Sequence, residues 1–182
     1  MTNLRLAYDS YAALGYVQVI FHEDSGGYLV IHPKHGQNEW EENKRIGRML
    51  VELGDAIVLL PNDLEKPSPD ALRNGVEWEF KTINTENLAR GIQNALRKGK
   101  TQSPNIICFV TATDFHVHEI AHGIYNAVKF DAGQNIQRVG ILFQSGFLVE
   151  VSREEVVARV FSRNFCPKKT EGTGSRPFPL LW

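Results

Sequence analysis

The dipeptide Asn74-Gly75 constrains this chain more than any other feature in it. Both residues tolerate positive φ, and together they favour the two-residue turn whose twist matches that of flanking antiparallel strands. Asp70 to Arg73 and Val76 to Ile83 therefore read as the arms of one hairpin. A two-residue loop fixes the register, so Arg73 faces Val76, Leu72 faces Glu77, Ala71 faces Trp78 and Asp70 faces Glu79. Side chains alternate along a strand, which sets Val76, Trp78 and Phe80 on one face and Glu77, Glu79 and Lys81, with Asp70, on the other. Two carboxylates opposed at a Cβ separation of about 4.5–5.5 Å repel one another. A divalent cation between them reverses that sign, and oxygen ligands so spaced suit Mg²⁺ or Mn²⁺. Lys81, on the same face, can hold a water or offset charge developing on a phosphate. The same spacing also suits a solvent-facing strand of mixed charge in which Lys81 screens Glu79. If the opposed carboxylates do repel, Asp70→Asn should melt slightly higher than the parent in chelator.

The surrounding pattern supplies an α/β layer plan, a mixed central sheet covered by helices. Tyr16 to His22 and Tyr28 to His32 read as strands about Asp24-Ser25-Gly26-Gly27. Glu39 to Leu53 carries Ile46, Met49, Leu50 and Leu53 on one helical stripe and stops at Gly54. Ala56 to Leu60 is a short apolar strand ended by Pro61, and the following stretch with Pro67 and Pro69 is a loop. Beyond the hairpin, Leu88, Ile92, Ala95 and Leu96 trace a helix, Asn105 to Ala112 a buried strand, and Val117 to Phe130 a second amphipathic helix. Ile136 to Phe143 and Phe147 to Val151 pair about Ser145-Gly146, and Ser152 with Glu155 forms a capping box for a last helix reaching about Phe161. The expected organisation is an N-terminal hairpin extension over 1–37, a core over 38–162 and an irregular tail over 163–182. With 182 residues, 42% of them hydrophobic and 23% charged, the chain has the makings of a globular core. Its 20 basic and 21 acidic residues exclude a uniformly basic nucleic-acid binder, so any such surface must be local. The longest apolar runs are too short to cross a bilayer, no export leader is expected, and the two cysteines make no disulfide framework.

Lys66-Pro67-Ser68-Pro69-Asp70 followed by Glu79-Phe80-Lys81, in a helix–strand–hairpin–helix–strand order, resembles the signature of the PD-(D/E)XK nuclease superfamily. More narrowly, the stretch from about Gly26 to Phe161 resembles the C-terminal tRNase domain of CdiA-type contact-dependent growth inhibition toxins. Gly26-Gly27-Tyr28-Leu29-Val30, Glu42-Asn43 ahead of Gly47 and Leu50, and Gly54 before Val58-Leu59-Leu60-Pro61 carry that resemblance together with the acidic hairpin. It implies an αβββαβ core and metal-dependent phosphodiester cleavage, in RNA and most narrowly in tRNA. Asp70 and Glu79 would be ligands for Mg²⁺ or Mn²⁺ and Lys81 the catalytic lysine. Glu42, expected on the inward stripe of its helix, would add a further catalytic carboxylate, with Glu39 as its alternate. The resemblance also implies a toxin acting in the cytoplasm, delivered into a neighbouring cell within a larger protein, and a cognate immunity protein as partner.

Arg90, Arg97, Lys98 and Lys100 form a basic stretch after the hairpin that suits a phosphate backbone, or equally a solvated helix face. Gln102, before the next strand, is a candidate to orient phosphate or water, or a plain loop residue. A DNA endonuclease of a mobile element on the same site, and a non-catalytic nucleic-acid-binding module, are the alternative readings. A smaller one comes from His118-Glu119-Ile120-Ala121-His122, an H-E-x-x-H match on a helix that would place two zinc ligands on one side with Glu119 as base. Zinc proteolysis needs a third protein ligand, and no further histidine follows at the expected spacing. His22, His32 and His35 are expected on the surface of the first hairpin.

Overall fold

A computed structural model describes residues 3–62 and 65–160. Among these residues eight strands form one sheet in which each strand neighbours its predecessor in the chain. Helix α1 (Asn3–Ala13) precedes β1 (Val17–Phe21) and β2 (Tyr28–Ile31), and α2 (Trp40–Glu52) leads to β3 (Ala56–Leu59), β4 (Ala71–Arg73) and β5 (Val76–Ile83). Then come α3 (Leu88–Gly99), β6 (Asn105–Val110), α4 (Val117–Lys129), β7 (Arg138–Phe143), β8 (Leu148–Ser152) and α5 (Arg153–Val157). The run α2–β3–β4–β5–α3–β6 has the helix, three strands, helix and strand expected of the core. Pairing is antiparallel for β1–β2, β3–β4, β4–β5 and β7–β8, and parallel for β2–β3, β5–β6 and β6–β7.

Helix α1 is absent from the expectation because its polar and apolar residues keep no clean period; of its side chains only Tyr8 is buried, against Phe21 and Tyr28. The first hairpin joins the main sheet through β2, which lies parallel to β3. The tail over 163–182 lies outside the described residues. At the other end the capping box forms as expected, with Ser152 accepting from the Glu155 backbone and Glu155 from that of Ser152.

The period of two along each strand sorts the core into layers. Trp78 and Phe80 of β5, Ile107 and Phe109 of β6 and Leu142 of β7 pack with Ile46 and Leu50 of α2 on one face. Ile83, Ile106, Cys108, Val110, Val139 and Ile141 pack on the other against Leu88, Ile92 and Leu96 of α3 and Ile120 and Ile124 of α4. There α3 and α4 meet at Gly123, where an added Cβ would lie 2.6 Å from the Ala89 carbonyl oxygen and 3.1 Å from Ile92 Cβ. Gly123→Ala gains roughly 1 kcal/mol of helix propensity. The clash is with backbone and cannot relax by a rotamer change, so the variant should still lose about 1–3 kcal/mol net, read as a lower denaturant midpoint at unchanged m-value.

Candidate active site

The turn that sets the site is built as its residue types require. Asn74 and Gly75 take φ of 53° and 79°, and Asn74 is further held by its side chain, which accepts from Ala56 N and donates to Asp55. Asp55 also pairs with Arg73 at 2.7 Å. With the turn fixed, Arg73 pairs with Val76, Leu72 with Glu77 and Ala71 with Trp78, as the register demands.

The ladder ends at Ala71–Trp78, and Asp70 sits where the two strands part. Its Oδ2 accepts the Phe80 backbone N–H at 2.8 Å, a donor that β4 no longer serves, and its Oδ1 accepts Asn43 Nδ2 of α2 at 3.0 Å. Asp70 and Glu79 are 7% and 0% exposed, so the solvent-facing strand is excluded. Glu79 turns to the α3 face, where an added Cβ on Gly99 would be 3.3 Å from its Cγ. Lys81 Nζ pairs with Glu79 Oε1, while Glu79 Oε2 is buried with no fixed donor.

The electrostatics follow from that packing. Burial first, and then the Asp70 charge and hydrogen bond, push Glu79 up to about 8 against the pull of Lys81. Burial draws Lys81 down, but the hydrogen bond and charge of Glu79, with the charges of Asp70 and Glu39, outweigh it and hold its pKa above the usual value. Lys81 is therefore a fixed cation at neutral pH. Glu79 is a carboxyl that burial and the Asp70 charge make hold its proton more tightly than an ordinary one. A cation replacing that proton would find two carboxylates and one oxygen with no other partner, which is the donor set Mg²⁺ or Mn²⁺ takes from a protein while keeping waters.

Asp70→Asn now carries the opposite expectation from the one read from sequence. Both Asp70 oxygens accept hydrogen bonds, and asparagine supplies only one acceptor, so one buried donor would face an amide N–H. Glu79 is the better place to remove charge.

Other expected site residues fall around this centre unevenly. Glu42 is exposed rather than inward; it lines a shallow depression with Arg45, Thr82, Asn84, Phe109 and Thr111. The inward position of that helical turn belongs to Asn43, 3% exposed. Glu39 is also exposed, yet its charge acts on Lys81. Gln102 donates to the Ser68 carbonyl at 3.3 Å and so braces the loop that delivers Asp70. Arg90, Arg97 and Lys98 are exposed on α3. Lys100 belongs to a structural cluster instead: it pairs at 2.9 Å with Asp131, whose side chain is fully buried and also binds Arg153. Burial disfavours the Asp131 charge, but the Ile136 N–H, Lys100 and Arg153 outweigh it and hold the pKa below the usual carboxylate range. Lys100→Ala should accordingly lower stability by roughly 1.5–3 kcal/mol, seen in chemical denaturation, without changing the salt dependence of nucleic-acid binding.

His35 is not a surface residue. It is 4% exposed, with Nδ1 2.6 Å from the Leu60 carbonyl and Nε2 3.1 Å from Asn43 Nδ2. Its neighbours in sequence, polar and broken by Pro33 and Gly36, give no periodic signal that would reveal this. On α4 the His118 and His122 rings lie outside the packed face, 6.1 Å apart and inclined by 8°. His122 Nε2 meets Asn126 Nδ2 at 3.1 Å, and among the described residues no cluster of three His, Cys, Asp or Glu side chains could hold a metal. The H-E-x-x-H match is thus the outer face of a packing helix.

Residues 66–148 match the family of the contact-dependent growth inhibition CdiA C-terminal domain. That stretch holds Asp70, Glu79 and Lys81 together with α3, β6 and α4. Among solved structures, the chain is similar to the CdiA-CT/CdiI toxin and immunity complex from Burkholderia pseudomallei, at 18% identity and a TM-score of 0.46 over 67% of this chain and 98% of that one. No curated protein matches the chain. No helix among the described residues is long and apolar enough to cross a membrane.

Proposed function

We propose that this protein is a metal-dependent endonuclease of PD-(D/E)XK type that cleaves RNA, tRNA above all, as the toxic domain of an interbacterial competition system. The observation that carries the reading is the buried Asp70–Glu79 pair, with one orphaned oxygen, beside the charged Lys81. Two acids buried together beside a single lysine cost stability, unlike Asp131, one acid that meets two cations. The match to the CdiA C-terminal domain over 66–148 supports the toxin context. In that context the protein acts in the cytoplasm of a neighbouring cell, and a cognate immunity protein restrains it.

Asp70 and Glu79 would hold Mg²⁺ or Mn²⁺, which when bound supplies Lewis-acid polarisation of the phosphodiester and a water of lowered pKa. The protein's own share is to orient the Asp70 carboxylate through the Phe80 and Asn43 donors and to present Lys81 as a cation to phosphate oxygen. Its raised pKa suits Lys81 to offsetting charge rather than to removing a proton. Arg90, Arg97 and Lys98 would meet the phosphate backbone.

Incubating the protein with Mg²⁺ and either total tRNA or plasmid tests the substrate: tRNA should be cut and plasmid left intact. Arg97→Ala with Lys98→Ala should weaken RNA binding and flatten its salt dependence by about 0.7–0.9 in slope for each phosphate no longer neutralised. Cutting of plasmid alone would transfer the site to a DNA endonuclease, and binding without cleavage of either would leave a binding module.

A further inference from the structure

The hydrogen bonds behind Asp70 leave no freedom in their direction. The Leu60 carbonyl can only accept, so His35 Nδ1 donates to it and Nε2 presents its lone pair to the Asn43 amide. Asn43 Nδ2 lies 3.1 Å from that lone pair and 3.0 Å from Asp70 Oδ1, and its two hydrogens serve one acceptor each. Turning the amide over would set its oxygen against two acceptors at once. The three side chains are 4%, 3% and 7% exposed and come from the β2–α2 loop, α2 and the foot of β4.

We propose that His35 and Asn43 are positioning residues that fix the plane of the Asp70 carboxylate for cation binding. The proposal rests on the metal-dependent reading of the site. Asn43 and Phe80 N pin one lone pair on each Asp70 oxygen, which leaves the carboxylate no rotation about its own bond. The unpinned lone pairs are then held in one orientation relative to Glu79, whether or not a cation is bound. His35 does not touch Asp70; it selects the Asn43 orientation that does. Partners of a metal-ligating carboxylate commonly change metal affinity by 10–100-fold when removed.

Two substitutions at position 35 separate positioning from packing. In His35→Asn the side-chain amide can replace Nδ1 and keep the Leu60 hydrogen bond but has nothing at Nε2. In His35→Gln the carbonyl oxygen reaches the place of Nε2 and can still accept from Asn43. Mn²⁺ affinity is measured by isothermal titration of the metal-free protein, beside kcat and KM for tRNA cleavage at fixed Mn²⁺. His35→Asn and Asn43→Leu should bind Mn²⁺ 10–100-fold more weakly, with kcat reduced and KM for tRNA unchanged. His35→Gln should remain near the parent. The comparison at position 35 decides the matter even if Asn43→Leu does not fold. Equal Mn²⁺ affinity in the parent, His35→Asn and His35→Gln would overturn the relay while leaving the metal site in place. A parent that binds no Mn²⁺ would remove the metal reading itself, and the relay with it.

Discussion

The metal-free protein is expected to lose stability as the pH rises from about 5 to about 8, at up to about 1.4 kcal/mol per unit from Glu79 alone. Its carboxyl has an ordinary value of 4.5 and is pushed up to about 8 by burial and by Asp70. A group whose folded pKa is raised binds its proton more tightly in the native state. The stability it lends is complete below the unfolded value and vanishes as the pH passes the folded one. Other titrating groups add their own slopes, so the measurement is a difference: denaturant unfolding of the parent and of Glu79→Gln in chelator, across that range. Glutamine is the neutral form made permanent. Its oxygen can accept from Lys81 and its amide can donate to Asp70, satisfying the atom that Glu79 leaves orphaned. The variant should therefore be flatter with pH and more stable than the parent at pH 8. Parallel curves would show that Glu79 is ionised throughout and that Lys81 governs its charge.

The second large effect is on cleavage. Lys81→Ala should reduce kcat by roughly 10²–10³-fold, the usual cost of removing one preorganised electrostatic group from a reacting centre. Glu79→Gln should be at least as damaging, because it keeps the fold and takes away a carboxylate of the proposed metal site. Mn²⁺ should raise the melting temperature of the parent, since binding to the native state alone stabilises by mass action, and should hardly move that of Glu79→Gln. Full cleavage by Glu79→Gln would remove the acidic pair from the mechanism.

The site was legible in the sequence to the extent that local rules set it. Asn74-Gly75 dictates a register, the register dictates which residues share a face, and Trp78, Phe80 and Glu79 fall on the faces so assigned. What alternation cannot show is depth. Glu79 looks like a residue of an exposed charged face until α3 is placed over it, with Gly99 against its side chain. The inward placement expected of Glu42 fails for a related reason: Glu42 lies one helical turn from Ile46, but the inward face of α2 at its first turn is centred one residue later, on Asn43. An amide on an apolar stripe is an ordinary sight in a sequence, and its partner His35 lies in an aperiodic loop, so neither announced the other. In sequence Lys100 looks like its basic neighbours, because its counter-ion, Asp131, is far along the chain and its burial unreadable there. Helix α1 escaped because an element with one buried side chain leaves almost no amphipathic trace.

The strictly sequential order of the eight strands bears on how the site comes into being. A sheet whose every ladder joins consecutive strands can zip up from one end, closing only the segment between one strand and the next, and short closures carry little entropic penalty. The β4–β5 hairpin needs only a two-residue turn and so belongs among the earliest events, on the timescale of microseconds. At that stage Asp70 and Glu79 are neighbours in water, where their repulsion is weak and Glu79 keeps an ordinary acidity. The charge conflict is created later, when α3 and β6 close over the strand. Docking of α3 is therefore coupled to the uptake of a proton or a cation by Glu79, and the rate of that late step should depend on pH and on divalent metal even though the hairpin beneath it does not.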